Sequence, residues 1–137
     1  MSKISSDQVT VTQKLSSQPN SDSKVLALEI AAAANEKKAA DIVLLKVNEI
    51  SYLADYFVII TGFSQTQLKA IAQSIEDQIE EKFDLQPLRA SGKKDGNWIV
   101  QDYGDVIVHT FLPEDREYYN LEAFWGHAER FEFSQSS

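Results

Sequence analysis

The sequence predicts an α/β fold: a mixed β-sheet of about five strands with helices packed on it, in the order α-β-β-α-β-β-β-α. Three observations carry that prediction. Asp41–Val47 and Tyr56–Thr61 are apolar runs without alternation, the pattern of strands covered on both faces. Between them and the C-terminal third lies a strongly periodic helical stretch that opens at Ser64. Asn97 to His109 then reads as two short strands around a tight turn.

Taken in order, residues 1–23 are rich in Ser, Thr and Gln without apolar periodicity, and read as a disordered tail. Ser21, Asp22 and Ser23 offer caps to a helix from about Lys24 to Ala39, with Val25, Leu28 and Ala32 on its apolar side. Lys37 and Lys38 suit the negative end of its dipole. The two apolar strands follow, separated by the polar connection Asn48 to Asp55 and ended by Gly62. Ser64 and Gln67 form a capping box, the Gln side chain reaching back to the Ser64 amide. Behind it Leu68, Ile71, Ala72, Ile75, Ile79 and Phe83 make one stripe, with Glu76, Asp77, Glu80 and Glu81 off it. The unit from Tyr56 to Ala90 is expected to be a right-handed strand–helix–strand crossover.

Gln86 to Ala90 is a short strand, and Ser91 to Asn97 a turn carrying Gly and Lys. Pro113 suits the first turn of the last helix, where a missing N–H costs nothing, and Glu114, Asp115 and Glu117 suit its positive end. Tyr118, Leu121, Trp125 and Ala128 form its apolar stripe, with Gly126 as terminator. The ordered domain therefore spans residues 24–128, and residues 129–137 read as a flexible tail.

Composition narrows the function. A chain of 137 residues fits one domain, and with no cysteine it has no disulfide, thiolate metal site or Cys nucleophile. No apolar run is long enough for a membrane span and no targeting segment stands out, so a cytoplasmic location is expected. The formal charge is −8, and Gln101 to Ser137 alone carries −6. That end repels phosphate backbones and attracts a basic protein.

The hairpin concentrates the chemistry. With Tyr103 and Gly104 as a two-residue turn, Asp102 pairs with Asp105, Val100 with Ile107 and Trp98 with His109. Trp98, Val100, Ile107, His109 and both aspartates then share one face, and Ile99, Val106 and Val108 lie on the other, against a helix. A metal-clamping carboxylate pair is usually two residues apart on one strand face, whereas Asp102 and Asp105 are three apart across a turn. Paired turn aspartates more often cap backbone amides. His109 has no serine fixed nearby as nucleophile, and Thr61–Ser64 has one glycine and no lysine, which makes a poor phosphate loop. Trp98 and Tyr103, near the strand ends, are expected to be exposed beside carboxylates, which favours binding over catalysis. No catalytic residue, metal or cofactor is assigned. The competing reading is a divergent, metal-dependent nucleotidyltransferase-like enzyme using Asp102 and Asp105.

Asp55-Tyr56-Phe57-Val58-Ile59 leading to Thr61-Gly62-x-Ser64, then the block from Trp98 to His109, resembles the ribosomal silencing factor family (RsfS, also called Iojap). Arg116-Glu117-x-Tyr119-x-Leu121-Glu122-x-x-Trp125 continues the match, which covers roughly Val25 to Trp125. The resemblance implies a nucleotidyltransferase-like fold without its catalytic carboxylates. It also implies a non-enzymatic translational repressor that binds protein fourteen of the large ribosomal subunit and sterically excludes the small one when nutrients are scarce. By the family pattern Trp98, Asp102 and Tyr103, with Asp105 and His109 beside them, contact that protein. A homodimer using the same face is also implied.

Overall fold

The computed structural model describes residues 20–49, 53–94 and 96–134. The two unalternating apolar runs form the middle of a mixed sheet. β1 (Ala40–Lys46) lies antiparallel to β2 (Tyr56–Thr61), and all six residues of β2 are buried. On its other side β2 runs parallel to β5 (Val106–Phe111), with Tyr56 opposite Val106 and Thr61 opposite Phe111. β4 (Trp98–Asp102) and β3 (Arg89–Ser91) extend that edge antiparallel, and β6 (Glu129–Glu132) closes the other beside β1. The spatial order is β3-β4-β5-β2-β1-β6.

Helices α1 (Asn20–Glu36) and α2 (Gln65–Phe83) pack on one face. There Ile30, Ile71, Ile75 and Ile79 meet Leu44, Tyr56, Val58, Ile60 and Val108, all buried. Each such side chain taken from water contributes about 1.5–3 kcal/mol. The opposite face is covered only in part. Val43, Leu45, Phe57, Ile59 and Phe111 form a second cluster there, roofed by Leu121, Trp125 and Ala128. After α3 (Pro113–Tyr119), α4 (Leu121–Phe124) supplies Leu121, and the turn that follows it supplies Trp125 and Ala128.

Four expectations change. α1 starts at Asn20, so Ser21, Asp22 and Ser23 lie within it rather than before it; residues 1–19 of the expected tail lie outside the described residues. Its buried side is Leu26, Ala27, Ile30, Ala31, Ala33 and Ala34, while Val25 and Leu28 are exposed. In so alanine-rich a helix the small residues take the close contacts, and large side chains cease to mark the core. The last helix breaks at Asn120, whose left-handed φ of 46° ends α3 and starts α4. Residues 129–132, expected in a flexible tail, form the sixth strand, and the Phe133 N–H donates to the Ile42 carbonyl at 2.9 Å.

The capping box forms with one substitution of partner. The Ser64 Oγ accepts from the Gln67 N–H at 3.0 Å, but Gln67 Oε1 accepts from the Phe63 amide at 2.7 Å rather than that of Ser64. Gln67 Nε2 donates to the carbonyls of Lys37 and Lys38, which ties the α2 start to the α1 end.

Candidate partner-binding surface

β4 alternates. Ile99 and Gln101 are fully buried toward α2, whereas Trp98, Val100 and Asp102 are half-buried on the opposite side. On that side Tyr119 of α3 covers part of Trp98, and Val100 and Asp102 stay half-buried, so these side chains form the floor of a partly open surface.

The turn that positions them is Gly104–Asp105, one residue later than expected. The Tyr103 N–H donates to the Val106 carbonyl at 2.9 Å, and Gly104 takes the first central position with φ +89°. That position of a type II′ hairpin turn demands a positive φ, which glycine accepts and tyrosine resists. The pairing becomes Trp98 with Phe111, Val100 with His109 and Asp102 with Ile107. An offset of two preserves alternation, so Trp98, Val100, Ile107 and His109 keep the expected face. Trp98 and His109 meet diagonally instead of directly.

The other predicted residues part company. Tyr103 was expected to be exposed, but it turns to the helical face and is 8% exposed among Val106, Val108 and their neighbours. Its hydroxyl has no partner, and burial, with the Glu76 charge second, pushes its ionisation well up. Asp105 sits exposed in the turn, its carbonyl accepting from the Asp55 and Tyr56 amides. Asp102 caps the same turn, Oδ1 accepting from the Gly104 N–H at 2.8 Å, while Oδ2 lies 3.4 Å from the Arg89 Nε. The two aspartates therefore serve the turn separately. Among the described residues no group of three or more His, Asp or Glu side chains is placed to hold a metal ion.

An aromatic strip runs across the open face. Trp98 stacks on Phe111 at 4.8 Å and touches Tyr119 at 4.6 Å; Tyr118 stands edge-on to Tyr119 at 5.0 Å. On the far side of His109, Phe57 meets the His109 ring at 5.1 Å and Trp125 at 5.4 Å, and Phe124 leans on Trp125 at 5.2 Å. Tyr118 and Phe124 are 81% and 76% exposed, which corrects the expected burial of Tyr118. The break at Asn120 leaves Leu121 and Trp125 to reach the core while Tyr118 projects outward. Tyr119 and Phe124 were not assigned to the site from the sequence. The available signal was two adjacent aromatic pairs, Tyr118–Tyr119 and Phe124–Trp125, since neighbours in a helix cannot both face one core.

His109 is held neutral within this strip. The Trp98 indole N–H donates to Nδ1 at 3.2 Å, which places the ring proton on Nε2, and burial lowers the pKa to about 4. Nε2 has no protein partner. A histidine so depressed and so enclosed is a packing and orienting group for Trp98, unsuited to proton transfer near neutral pH.

Comparison with known proteins agrees with the fold and the motif. Residues 20–137 match the family described as "Ribosomal silencing factor during starvation". The ribosomal silencing factor RsfS of Bacillus subtilis is 46% identical over 102 residues, 74% of this chain and 86% of that protein. The chloroplastic protein Iojap of Zea mays is 41% identical over 74% of this chain and 44% of its own length. A crystal structure of a Chromobacterium violaceum protein, 30% identical, superposes with a TM-score of 0.73 over 83% of this chain and 89% of that one.

Proposed function

This chain belongs to the ribosomal silencing factor family, and from that premise we propose that it lowers translation by binding protein fourteen of the large ribosomal subunit and barring the small subunit sterically. The observation that supports a docking role is the strip of exposed Tyr118, Tyr119 and Phe124 beside half-buried Trp98, flanked by Asp102 and the acidic α3. Rigid aromatics bury large area at small entropic cost, and surrounding carboxylates steer a basic partner toward them. Trp98 is the anchor, His109 fixes its indole, and Asp102 and Asp105 supply charge at the turn. Tyr103 supports that turn from behind. A second copy docking on the same strip would form a homodimer that competes with the ribosome. No helix among the described residues is long and apolar enough to cross a membrane, and the proposed place of action is the ribosome in the cytoplasm.

Cosedimentation with purified large subunits tests this. Wild type should pellet with the subunits, Trp98→Ala and Tyr118→Ala should stay largely in the supernatant, and Tyr103→Phe should behave as wild type. Wild-type pelleting by both Trp98→Ala and Tyr118→Ala would remove the strip from the interface.

A further inference from the structure

The aromatic strip ends on two helices that have little reason to hold still. α3 has seven residues and α4 four, and neither contains a fully buried side chain. Helices this short do not persist on propensity alone. Leu112 caps α3 without a side-chain hydrogen bond, and the chain then reverses through the left-handed Asn120. Leu121 and Trp125 give the corner a half-buried foothold on the sheet.

One guanidinium ties the corner to the sheet through polar contacts. Arg116 Nε and one terminal nitrogen donate to the two oxygens of Glu122 at 3.0 and 2.9 Å. The other terminal nitrogen donates to the Asp41 carbonyl at 2.6 Å and the Thr61 Oγ1 at 2.8 Å. The Asp41 carbonyl is available because β1 is irregular between Ala40 and Val43, with Asp41 at φ +48°. Glu122 also accepts from Arg130 of β6 at 3.1 Å. Arg116 thus joins α3 to β1, β2 and α4, with its side chain only 12% exposed and that of Glu122 18%. The Arg116 hydrogen bond also holds the Glu122 carboxyl below its ordinary range, against the opposing effect of burial.

We propose that Arg116 is the positioning residue of the docking surface: its fork sets where Tyr118 and Tyr119 on one side of the corner, and Phe124 on the other, stand relative to Trp98. The inference rests on the docking role proposed above. Only a planar, multiply donating group can satisfy these acceptors together, so lysine keeps the charge and loses the geometry.

The experiment measures large-subunit affinity and aromatic NMR shifts for the full chain, Arg116→Lys, Glu122→Gln, Tyr119→Ala and the double variant Arg116→Lys/Tyr119→Ala. Arg116→Lys should weaken binding about tenfold, and should cost less when added to Tyr119→Ala than in the wild type, because part of what it displaces is already gone. Glu122→Gln should act in the same direction. The Trp98 indole and Tyr119 ring resonances should shift in Arg116→Lys while β2 amides keep their hydrogen-exchange protection. Wild-type affinity in Arg116→Lys, or full additivity with Tyr119→Ala, overturns the proposal. If the wild type itself fails to bind ribosomes, the docking reading falls, and unmoved Trp98 and Tyr119 resonances in Arg116→Lys overturn this inference separately.

Discussion

At the scale of the residue, His109 shows how an environment decides what a reactive side chain does. Enclosure by Phe57, Trp98 and Phe111 lowers its pKa to about 4, and the indole donor at Nδ1 favours the same neutral form. In the unfolded chain it titrates near its ordinary value of about 6.5. Above that pH neither state binds the proton. As pH falls from about 6.5 toward 4, the unfolded state gains a proton that the folded state refuses, and stability drops by something on the order of 3 kcal/mol. Glu122 acts in the same direction at lower pH, since its depressed carboxyl must be protonated as acid is added. Urea midpoints between pH 7 and pH 4.5 should therefore decline in the wild type and flatten over that window in His109→Gln. An equally steep decline in the variant would assign the effect to another group.

At the scale of the element, the two turns of the β3–β4–β5 meander hold glycines at positive φ for different reasons. At Gly104 a Cβ would meet only the Leu88 Cδ1 at 3.5 Å, an ordinary contact, so Gly104→Ala should cost only backbone strain, about 1 kcal/mol. At Gly92, φ +89°, a Cβ would fall 1.9 Å from the Trp98 carbonyl oxygen, and the β3–β4 pairing must shift. Gly92→Ala should lose on the order of 3 kcal/mol or more and perturb Trp98 fluorescence. Equal urea midpoints for the two variants would contradict this account. The same meander marks what a sequence can and cannot convey. The helical face of β4 and β5 was legible, because Ile99, Val106 and Val108 are apolar at positions that strand alternation and hairpin pairing put on one face, and all three are fully buried. β2 was legible to the residue because an apolar run admits one reading. The turn was misplaced by one position because Tyr-Gly-Asp offers two registers, and only the preference of glycine for the first central position separates them. The α1 face and the break at Asn120 were not legible, since alanines carry little signal and asparagine tolerates the left-handed region without advertising it.

At the scale of the whole molecule, the strand that closes the sheet decides how safely it can present an aromatic surface. Without β6, the outer edge of β1 would expose unpaired backbone along Val43, Leu44 and Leu45, an apolar edge open to another chain. β6 covers it with Glu129, Arg130 and Glu132, charged residues that discourage further pairing. Its Phe131 and the following Phe133 pack against the α1 side of the core, and Lys24 lies 4.7 Å over the Phe131 ring. The strand is thus seal and buttress at once, and through Arg130 and Glu122 it also reaches the corner that carries Phe124. Truncation after Ala128 should lower stability by about 3 kcal/mol or more, from two phenylalanine contacts and a lost ladder. It should also make the protein associate as its concentration rises, through the bared β1 edge. Urea unfolding and sedimentation velocity on the truncated chain check both outcomes. A monomer with an unchanged urea midpoint would mean that β1 needs no seal and that the core is complete without Phe131 and Phe133.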